Sequence, residues 1–351
     1  MADVLTHHCP NCGGPLTFNP DDQKFHCDYC LSIFTSADID EFEAKHPVES
    51  AISAEEKAET DAMDVFNCPS CGAEIVTDAT TAATYCYFCH NPVILAGRLS
   101  GELLPNKVLP FQIDRQKAEE QFLAWTKKKW FIPKDFFNKS QIEKLTGVYF
   151  PYWVVDAQTR GEYTGKGTSV RVWVVGDIEY TETKIYQVYR KGKATINNLV
   201  KNALTKNLQQ KMVEAVQPFP IDQAVDFQTE YLSGFQAEKR DIEIADITPE
   251  LQQELKKYTN DLLRDTVSGY TTFNKTGSSA AINWQSNHYM LLPVWLVTYQ
   301  GNNDKVYYYA MNGRTGKVSG ILPISNKRLA WFSLGIFVVT AIIMLLAGYF
   351  V

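Results

Sequence analysis

Two copies of one cysteine pattern constrain this chain more than any other feature. Both read C-x2-C-x14-C-x2-C, and together they use all 8 cysteines of the 351 residues. Zinc in structural sites takes four Cys or His ligands in a tetrahedron, commonly from two Cys-x2-Cys pairs. The repeat therefore predicts two tandem four-cysteine zinc ribbons, each binding one Zn²⁺. The predicted ligands are Cys9, Cys12, Cys27 and Cys30 in the first ribbon, and Cys68, Cys71, Cys86 and Cys89 in the second.

Other chemistry for the same cysteines is less compatible with the sequence. Disulfide bonds need an oxidising compartment, and the segment Met1–Cys9 has no apolar stretch that would act as a secretory signal. Iron fits a four-thiolate site of similar geometry, so the choice between zinc and iron stays open. Four thiolates close each site, which favours a structural site over a catalytic one with an open position. We interpret the neighbouring histidines as bystanders, not ligands: His7, His8, His26 and His90.

The C-terminal segment is the second strong signal. Residues 329–351 contain no charged side chain, and this length is enough to cross a bilayer as a helix. Lys327 and Arg328 precede the segment, which by the positive-inside rule places the rest of the chain in the cytoplasm. A reducing cytoplasm suits thiolate ligands. We therefore expect a tail-anchored protein of the cytoplasmic membrane, with no domain beyond the membrane.

Charge is unevenly distributed along the chain. Residues 1–110 hold 5 basic and 17 acidic side chains, a net charge of −12, whereas the remaining residues carry +6. Nucleic-acid binding depends on Lys and Arg neutralising phosphates. An acidic ribbon region therefore makes DNA or RNA an unexpected partner.

The chain divides into five predicted regions, and their fold class is α+β. We expect a mixed, mainly antiparallel sheet domain with inserted helices between the ribbons and the membrane helix. The regions are zinc ribbon one at 1–36, an acidic helical linker at 37–64, zinc ribbon two at 65–98, the α+β domain at 99–328 and the transmembrane helix at 329–351.

Apolar periodicity and turn residues predict the elements of the α+β domain. Asp114 is expected to cap the first helix and Thr248 the last, and Gly176-Asp177 is expected to join two strands as a hairpin. Lys127, Lys128 and Lys129 end the first helix, where they complement the helix dipole or face anionic lipid. The predicted helices are 114–130, 197–220 and 248–265, and strands are predicted within 147–189 and 266–318.

Catalytic motifs are missing from the sequence. It has no phosphate-binding G-x-x-x-x-G-K-[ST] loop, no H-E-x-x-H and no G-x-S-x-G. We therefore predict no catalytic residue and no small-molecule substrate; a polar pocket around Asp156, Glu162 or His288 would indicate otherwise. The aromatic runs at 149–153 and 307–309 are interpreted as core packing in preference to base stacking.

Several motifs resemble those of bacterial TFIIB-type zinc-ribbon membrane proteins. The resemblance lies in the paired Cys-Pro-x-Cys-Gly turns and in the aromatic motifs at 147–156, 231–235, 292–296 and 307–317, in this order and before a terminal membrane helix. Such proteins are similar to partners of phage-shock-type and SPFH-domain proteins in envelope-stress operons. The resemblance implies that the chain recruits such a protein to the membrane.

These observations lead to one functional hypothesis and one alternative. We expect a non-enzymatic, membrane-anchored adaptor that recruits a cytoplasmic protein partner in the envelope stress response. The alternative is a nucleic-acid-binding zinc-ribbon protein held at the membrane.

Overall fold

Strands make up most of the fold of this protein, which is seen in a computed structural model that describes residues 4–45, 64–86, 89–131, 145–205, 214–300 and 306–350. The strands are β1 (Val4–Leu5), β2 (Leu16–Asn19), β3 (Lys24–Cys27), β4 (Ile33–Phe34), β5 (Asp64–Asn67), β6 (Glu74–Thr77), β7 (Thr81–Tyr85), β8 (Pro92–Leu95), β9 (Lys107–Val108), β10 (Thr146–Val175), β11 (Ile178–Asn202), β12 (Val225–Asp226), β13 (Gln236–Glu238), β14 (Thr272–Gln300), β15 (Val306–Asn312) and β16 (Val318–Ile321). The α-helices of these residues are α1 (Ser36–Lys45), α2 (Arg115–Lys127), α3 (Ile244–Asp265) and α4 (Asn326–Phe350).

The chain folds as two compact units that alternate along the sequence. The first unit comprises Met1–Pro151, Lys206–Lys239 and Leu291–Val351, and the second comprises Tyr152–Thr205 and Arg240–Met290. Strands β10 and β14 are shared by the two units, since each begins in one and ends in the other.

A mixed, mainly antiparallel sheet organises the first unit, as the sequence predicts. Its strand order is β1-β8-β7-β13-β10-β14-β15-β16. Strands β13 and β10 pair in parallel, with Val148 opposite Gln236, whereas β7–β8, β13–β7, β14–β15 and β15–β16 are antiparallel. Two small sheets, β2-β3-β4 and β5-β6, belong to the two cysteine ribbons.

Aromatic rings fill the core of the first unit. Phe111 and Phe235 stack with their centroids 4.3 Å apart, Tyr149 meets Phe111 at 5.0 Å, and Trp295 meets Phe235 at 6.0 Å. A Cβ at Gly147 would lie 2.6 Å from the Phe235 ring, so only glycine fits there. Three of the aromatic motifs thus converge in one core, which agrees with the packing interpretation.

Helix α2 begins where the sequence predicts. The Lys117 N–H donates to Asp114 Oδ1 at 2.6 Å, so Asp114 is the N-cap. Phe122 and Trp125 pack on Tyr309, with centroids 4.8 and 5.3 Å apart. The helix ends at Lys127, three residues before the predicted end.

A long hairpin dominates the second unit. Strands β10 and β11 pair antiparallel from Tyr152↔Asn202 to Val175↔Ile178, and the turn is the predicted Gly176-Asp177, with Gly176 at φ 61°. The helix predicted at 197–220 is wrong for 197–202, which belong to β11, because Leu199 pairs with Val155. It is also wrong for 203–205 and 215–220, which are not helical. Residues 206–213 of that prediction lie outside the described residues.

Helix α3 packs on this hairpin through small side chains. Thr259 Oγ1 donates to Thr159 Oγ1 at 2.7 Å, and a Cβ at Gly161 would lie 2.5 Å from Thr259 Cγ2. The helix begins at Ile244, not at Thr248 as predicted. The earlier start is stabilised because the Glu243 N–H donates to Asp246 Oδ2 at 3.2 Å.

Helix α4 is long and apolar enough to cross a membrane, and none of its apolar stretch is buried against the protein. Near its start, Phe332 packs against Trp130 and Phe131, with ring centroids 6.0 and 5.3 Å apart. The Ser325 N–H also donates to the Phe131 carbonyl at 2.7 Å. The segment after α2 therefore lies beside the N-terminal end of α4.

Candidate metal centres

Each ribbon carries its cysteines on two tight turns. In the first turn, the Cys9 N–H donates to the Gly14 carbonyl at 2.7 Å, and the Gly13 N–H donates to the Cys9 carbonyl at 2.8 Å. The turn at Cys27 repeats both bonds, with Ser32 as acceptor at 3.0 Å and Leu31 as donor at 2.9 Å. These bonds aim the two sulfurs of a Cys-x2-Cys pair at the same point.

The second ribbon repeats this geometry. Cys68 N–H donates to the Ala73 carbonyl at 2.8 Å, and Cys86 N–H donates to the Asn91 carbonyl at 2.9 Å. In all four turns the residue four positions after the first cysteine has a left-handed backbone. Those residues are Gly13 (φ 74°), Leu31 (φ 60°), Gly72 (φ 76°) and His90 (φ 59°).

The sulfur positions fit a tetrahedral metal ion. In the first ribbon Cys9 Sγ lies 3.5 Å from Cys30 Sγ, and Cys12 Sγ lies 3.5 Å from Cys27 Sγ. The corresponding distances in the second ribbon are both 3.7 Å. A tetrahedron with Zn–S bonds of about 2.3 Å has sulfur separations of about 3.8 Å. Each predicted quartet is therefore brought together as a group that could hold a metal ion.

The thiols of a quartet differ in acidity. The Ser32 hydroxyl lies 3.2 Å from Cys30 Sγ and lowers the pKa of this thiol to about 6. Burial raises the pKa of Cys89 to about 12. A bound cation would have to displace the proton of a thiol such as Cys89, because only thiolates ligate the metal.

The neighbouring histidines have other partners. His8 Nδ1 lies 2.9 Å from the Gly13 carbonyl oxygen, and His26 Nε2 lies 2.8 Å from Asp22 Oδ2. Neither is grouped with a cysteine quartet in the described residues, which agrees with the bystander interpretation.

His7 belongs to a third, buried group. Its Nδ1 lies 2.7 Å from Glu43 Oε1 and its Nε2 lies 3.1 Å from Thr229 Oγ1. The side chains of His7, Glu43 and Glu230 come close enough together to hold an ion. Both ring nitrogens of His7 already have hydrogen-bond partners within the protein. We therefore interpret this group as a structural contact that joins the first ribbon to residues 229–230.

The segment 229–235 fixes the first ribbon to the sheet of the first unit. The Phe18 N–H donates to the Ser233 carbonyl at 3.0 Å, and the Phe18 ring meets Tyr231 at 5.2 Å. From the second ribbon, the Tyr85 hydroxyl donates to the Gly234 carbonyl. Both ribbons are thereby held against one short segment.

The second ribbon has a small core of its own. Its buried members are Phe66, Cys68, Ile75, Cys86, Val93 and Leu95. The guanidinium of the buried Arg98 lies 4.8 Å from the Phe66 ring centroid. It also donates to Thr81 O at 2.7 Å and to Thr77 Oγ1 at 3.2 Å, which closes the loop after β6.

An exposed apolar surface on the first ribbon was not singled out from the sequence. Tyr29, Leu31 and Ile33 are 73%, 81% and 53% exposed. A signal was present in the repeat itself: the left-handed position that is glycine in the first turn of each ribbon is Leu31 in the second turn of ribbon one. We call these three residues the ribbon-one apolar surface.

Two of the three residues singled out for an enzyme site, Asp156 and Glu162, make structural contacts. Asp156 accepts hydrogen bonds from the Asn198 N–H at 2.8 Å and from the Ser286 hydroxyl at 2.6 Å. Glu162 lies 2.7 Å from Lys191 Nζ, and this ammonium lowers the pKa of the carboxyl. His288 is half-buried.

Sequence comparison gives one extensive similarity. The chain is 32% identical over 331 residues to the uncharacterized protein YdjG of Bacillus subtilis strain 168, and the match covers 94% of either chain. No protein-family model matches the chain, and no solved structure matches it. The similarity to YdjG extends over nearly the whole of both chains, so it is not confined to the ribbons.

Proposed function

The chain belongs to the same protein family as YdjG, and we propose that it is a non-enzymatic, membrane-anchored adaptor that recruits a cytoplasmic protein partner to the membrane. Three features support this function: the two cysteine quartets, helix α4 and the ribbon-one apolar surface. Each contributes one part of an adaptor, namely a rigid module, a tether and a contact surface.

Two zinc ions make the ribbons rigid in this proposal. Closed four-thiolate sites leave no open coordination position for substrate or water, so the metal stabilises the fold and does not react. Ribbons of this size have little core of their own and depend on the metal to fold. The eight ligands are those named above.

Helix α4 is the tether. Lys327 and Arg328 precede its apolar stretch, which favours a cytoplasmic position for the rest of the chain. The packing of Trp130 and Phe131 on Phe332 holds the end of α2 close to the membrane surface. Lys128 and Lys129 of the same segment line a cavity beside residues 322–324, where they suit anionic headgroups.

The observation that carries the proposal is the conformation and exposure of Leu31. A leucine with a left-handed backbone costs about 1 kcal/mol relative to glycine, and at 81% exposure it recovers little of that cost by packing. Tyr29 and Ile33, two positions before and after Leu31 in the sequence, are also exposed. Such a concentration of exposed apolar side chains on a rigid turn is typical of a protein-binding surface.

The net charge of the first ribbon and helix α1 indicates the chemistry of the partner. Residues 4–45 carry seven acidic side chains and two lysines. An apolar surface on an acidic region suits a partner with an apolar groove rimmed by basic residues. The resemblance described above suggests an SPFH-domain or phage-shock-type protein, and a role in the envelope stress response.

The test is co-purification of such a partner with the full-length protein from membranes. Leu31→Asn keeps a residue that tolerates the left-handed backbone, so the ribbon should fold and bind zinc as before. We expect partner recovery to fall about tenfold, because an anchor residue at the centre of the contact is lost. Val76→Asn, on an exposed position of the second ribbon, is the matched control and should leave recovery unchanged.

Two results would contradict the adaptor function. One is recovery of the partner with Leu31→Asn at the level of the unchanged protein. The other is salt-dependent recovery of DNA or RNA with residues 1–110 in place of a protein, which would favour the nucleic-acid alternative.

A further inference from the structure

The outer edge of β11 is exposed over most of its length. In the part of the chain that the structure describes, β11 pairs only with β10. A long unpaired strand edge presents free backbone N–H and C=O groups that readily pair with another strand. Soluble proteins usually shield such edges, so an open one of 25 residues calls for a partner strand.

Large apolar side chains accompany this open edge. Tyr180, Ile185, Tyr186 and Tyr189 of β11 are 42%, 71%, 42% and 51% exposed. Edge pairing would bring their counterparts from another strand within about 5 Å and remove part of this surface from water. The edge thus has both the backbone groups and the side chains of an interface.

The charges of β11 are arranged so that the strand complements itself. Its acidic residues, Glu179 and Glu182, come early, and Arg190 and Lys193 come late. We propose that two copies of this protein pair through their β11 edges, antiparallel and about a two-fold axis at Tyr186. This register places Glu179 opposite Lys193 and Glu182 opposite Arg190 of the second copy, on both sides of the axis.

Other features of the strand agree with this register. Moving the register by two residues places Glu182 opposite Gly192 or Val188, so the ion pair between Glu182 and Arg190 is lost in either direction. Glu182 already lies 3.1 Å from Lys184 Nζ of its own strand. Glu179 and Lys193 are exposed, and neither takes part in an ion pair among the described residues. They are therefore free to pair between copies.

Membrane anchoring makes a modest interface sufficient. Two copies tethered to one membrane surface have a high effective concentration relative to each other. Cross-strand ion pairs contribute only about 0.2–1 kcal/mol each, so their main effect is to select the register and the partner. Pairing of copies is independent of the ribbon-one apolar surface and goes beyond the adaptor function.

Complementary charge reversals test this interface. Full-length copies with two different tags are produced together in membranes, solubilised in mild detergent and recovered through one tag. Copies that all carry Glu179→Lys place like charges opposite each other, as do copies that all carry Lys193→Glu. We expect recovery of the second tag to fall about tenfold in both cases. A mixture of a Glu179→Lys copy with a Lys193→Glu copy restores opposite charges at both ends and should restore recovery.

The rescue by mixing separates the interface from a folding defect. A variant that misfolds would not recover its partner when the partner carries the complementary reversal. Equal recovery in all combinations would overturn the proposal, as would failure of the unchanged copies to recover each other. Binding of the adaptor's protein partner through the ribbon-one apolar surface should be the same in every combination of copies. Failure to recover that partner would count against the adaptor function, whereas failure to recover the second tag counts against the β11 interface.

Discussion

At the scale of single residues, the four cysteine turns show how much local geometry depends on one backbone position. The same two hydrogen bonds form at each turn, but glycine occupies the left-handed position in only two of them. Leu31 and His90 occupy it in the others, at a cost that glycine avoids. The fold of the turn therefore does not by itself explain why leucine and histidine occupy this position in the second turns of the two ribbons.

Replacing one ligand should remove one metal ion and leave the other. We expect Cys27→Ser to lower the zinc content from about two ions per chain to about one, because three thiolates hold zinc much less tightly than four. Elemental analysis of the purified protein measures this. Asp28→Ser changes the exposed neighbour of the same turn and should retain both ions. Two ions per chain in the Cys27→Ser protein would contradict the assignment.

The buried carboxyl of Glu230 should make stability depend on pH. Burial raises its pKa, and the nearby carboxylate of Asp40 raises it further. As pH rises, Glu230 therefore ionises in the unfolded chain at a lower pH than in the folded protein. The folded protein loses stability as pH rises from the ordinary pKa of a glutamate to the raised pKa of Glu230. Glu230→Gln should therefore raise the thermal midpoint at pH 8 more than at pH 5. The same substitution at the exposed Glu74 should have no such pH dependence, and a constant difference across this range would contradict the argument.

At the scale of elements, the hairpin of the second unit depends on glycines where other segments approach its face. Gly161, Gly165 and Gly167 follow one face of β10, and each lies against a side chain of α3 or of residues 270–274. The sequence predicted strands here but not one strand of 30 residues. Alternating glycines carry little apolar signal, so the length of the strand was not visible in the pattern.

A methyl group on this face should destabilise the second unit. A Cβ at Gly165 would lie 2.2 Å from Phe273 Cζ and 2.7 Å from the Asn274 carbonyl oxygen. We expect Gly165→Ala to lower the free energy of unfolding by about 1–3 kcal/mol, as overpacking does elsewhere. Urea unfolding of the detergent-solubilised protein gives the value, and Lys166→Ala, at the exposed neighbouring position, is the control. Equal free energies of unfolding for the Gly165→Ala protein and the unchanged protein would contradict this, because they would show that β10 and residues 273–274 can move apart without loss of stability.

At the scale of the whole molecule, one chain alternates between two units and carries an apolar helix, the proposed tether, as its last element. The ribbons and α4 belong to the first unit, whereas the hairpin and α3 form the second. The proposed partner contact and the proposed contact between copies therefore lie in different units. They can be removed separately by substitution, which allows each to be tested on its own.

Removing the tether should release an otherwise intact protein. A chain that ends at Ser325 loses α4, whose apolar stretch is not buried against the protein, so few contacts of the first unit are lost. We expect it in the soluble fraction after cell lysis with about two zinc ions still bound, whereas the full-length protein stays with the membrane. Fractionation and elemental analysis measure both properties. Retention of the shortened chain on membranes would show that another surface anchors it.

Sequence patterns alone determined those parts of this protein that depend on local spacing or on the length of one segment. Cysteine spacing predicted both quartets, the apolar length predicted the terminal helix, and Asp114 and Gly176-Asp177 predicted a cap and a turn. Only the tertiary structure decided which apolar residues stay exposed, because burial depends on pairing between segments that are distant in sequence. It buried Phe235 and Trp295 in a common core, left Leu31 and the β11 edge open, and extended β11 through 197–202. A helix-compatible pattern at these last residues was overridden because pairing with β10 satisfied their backbone groups.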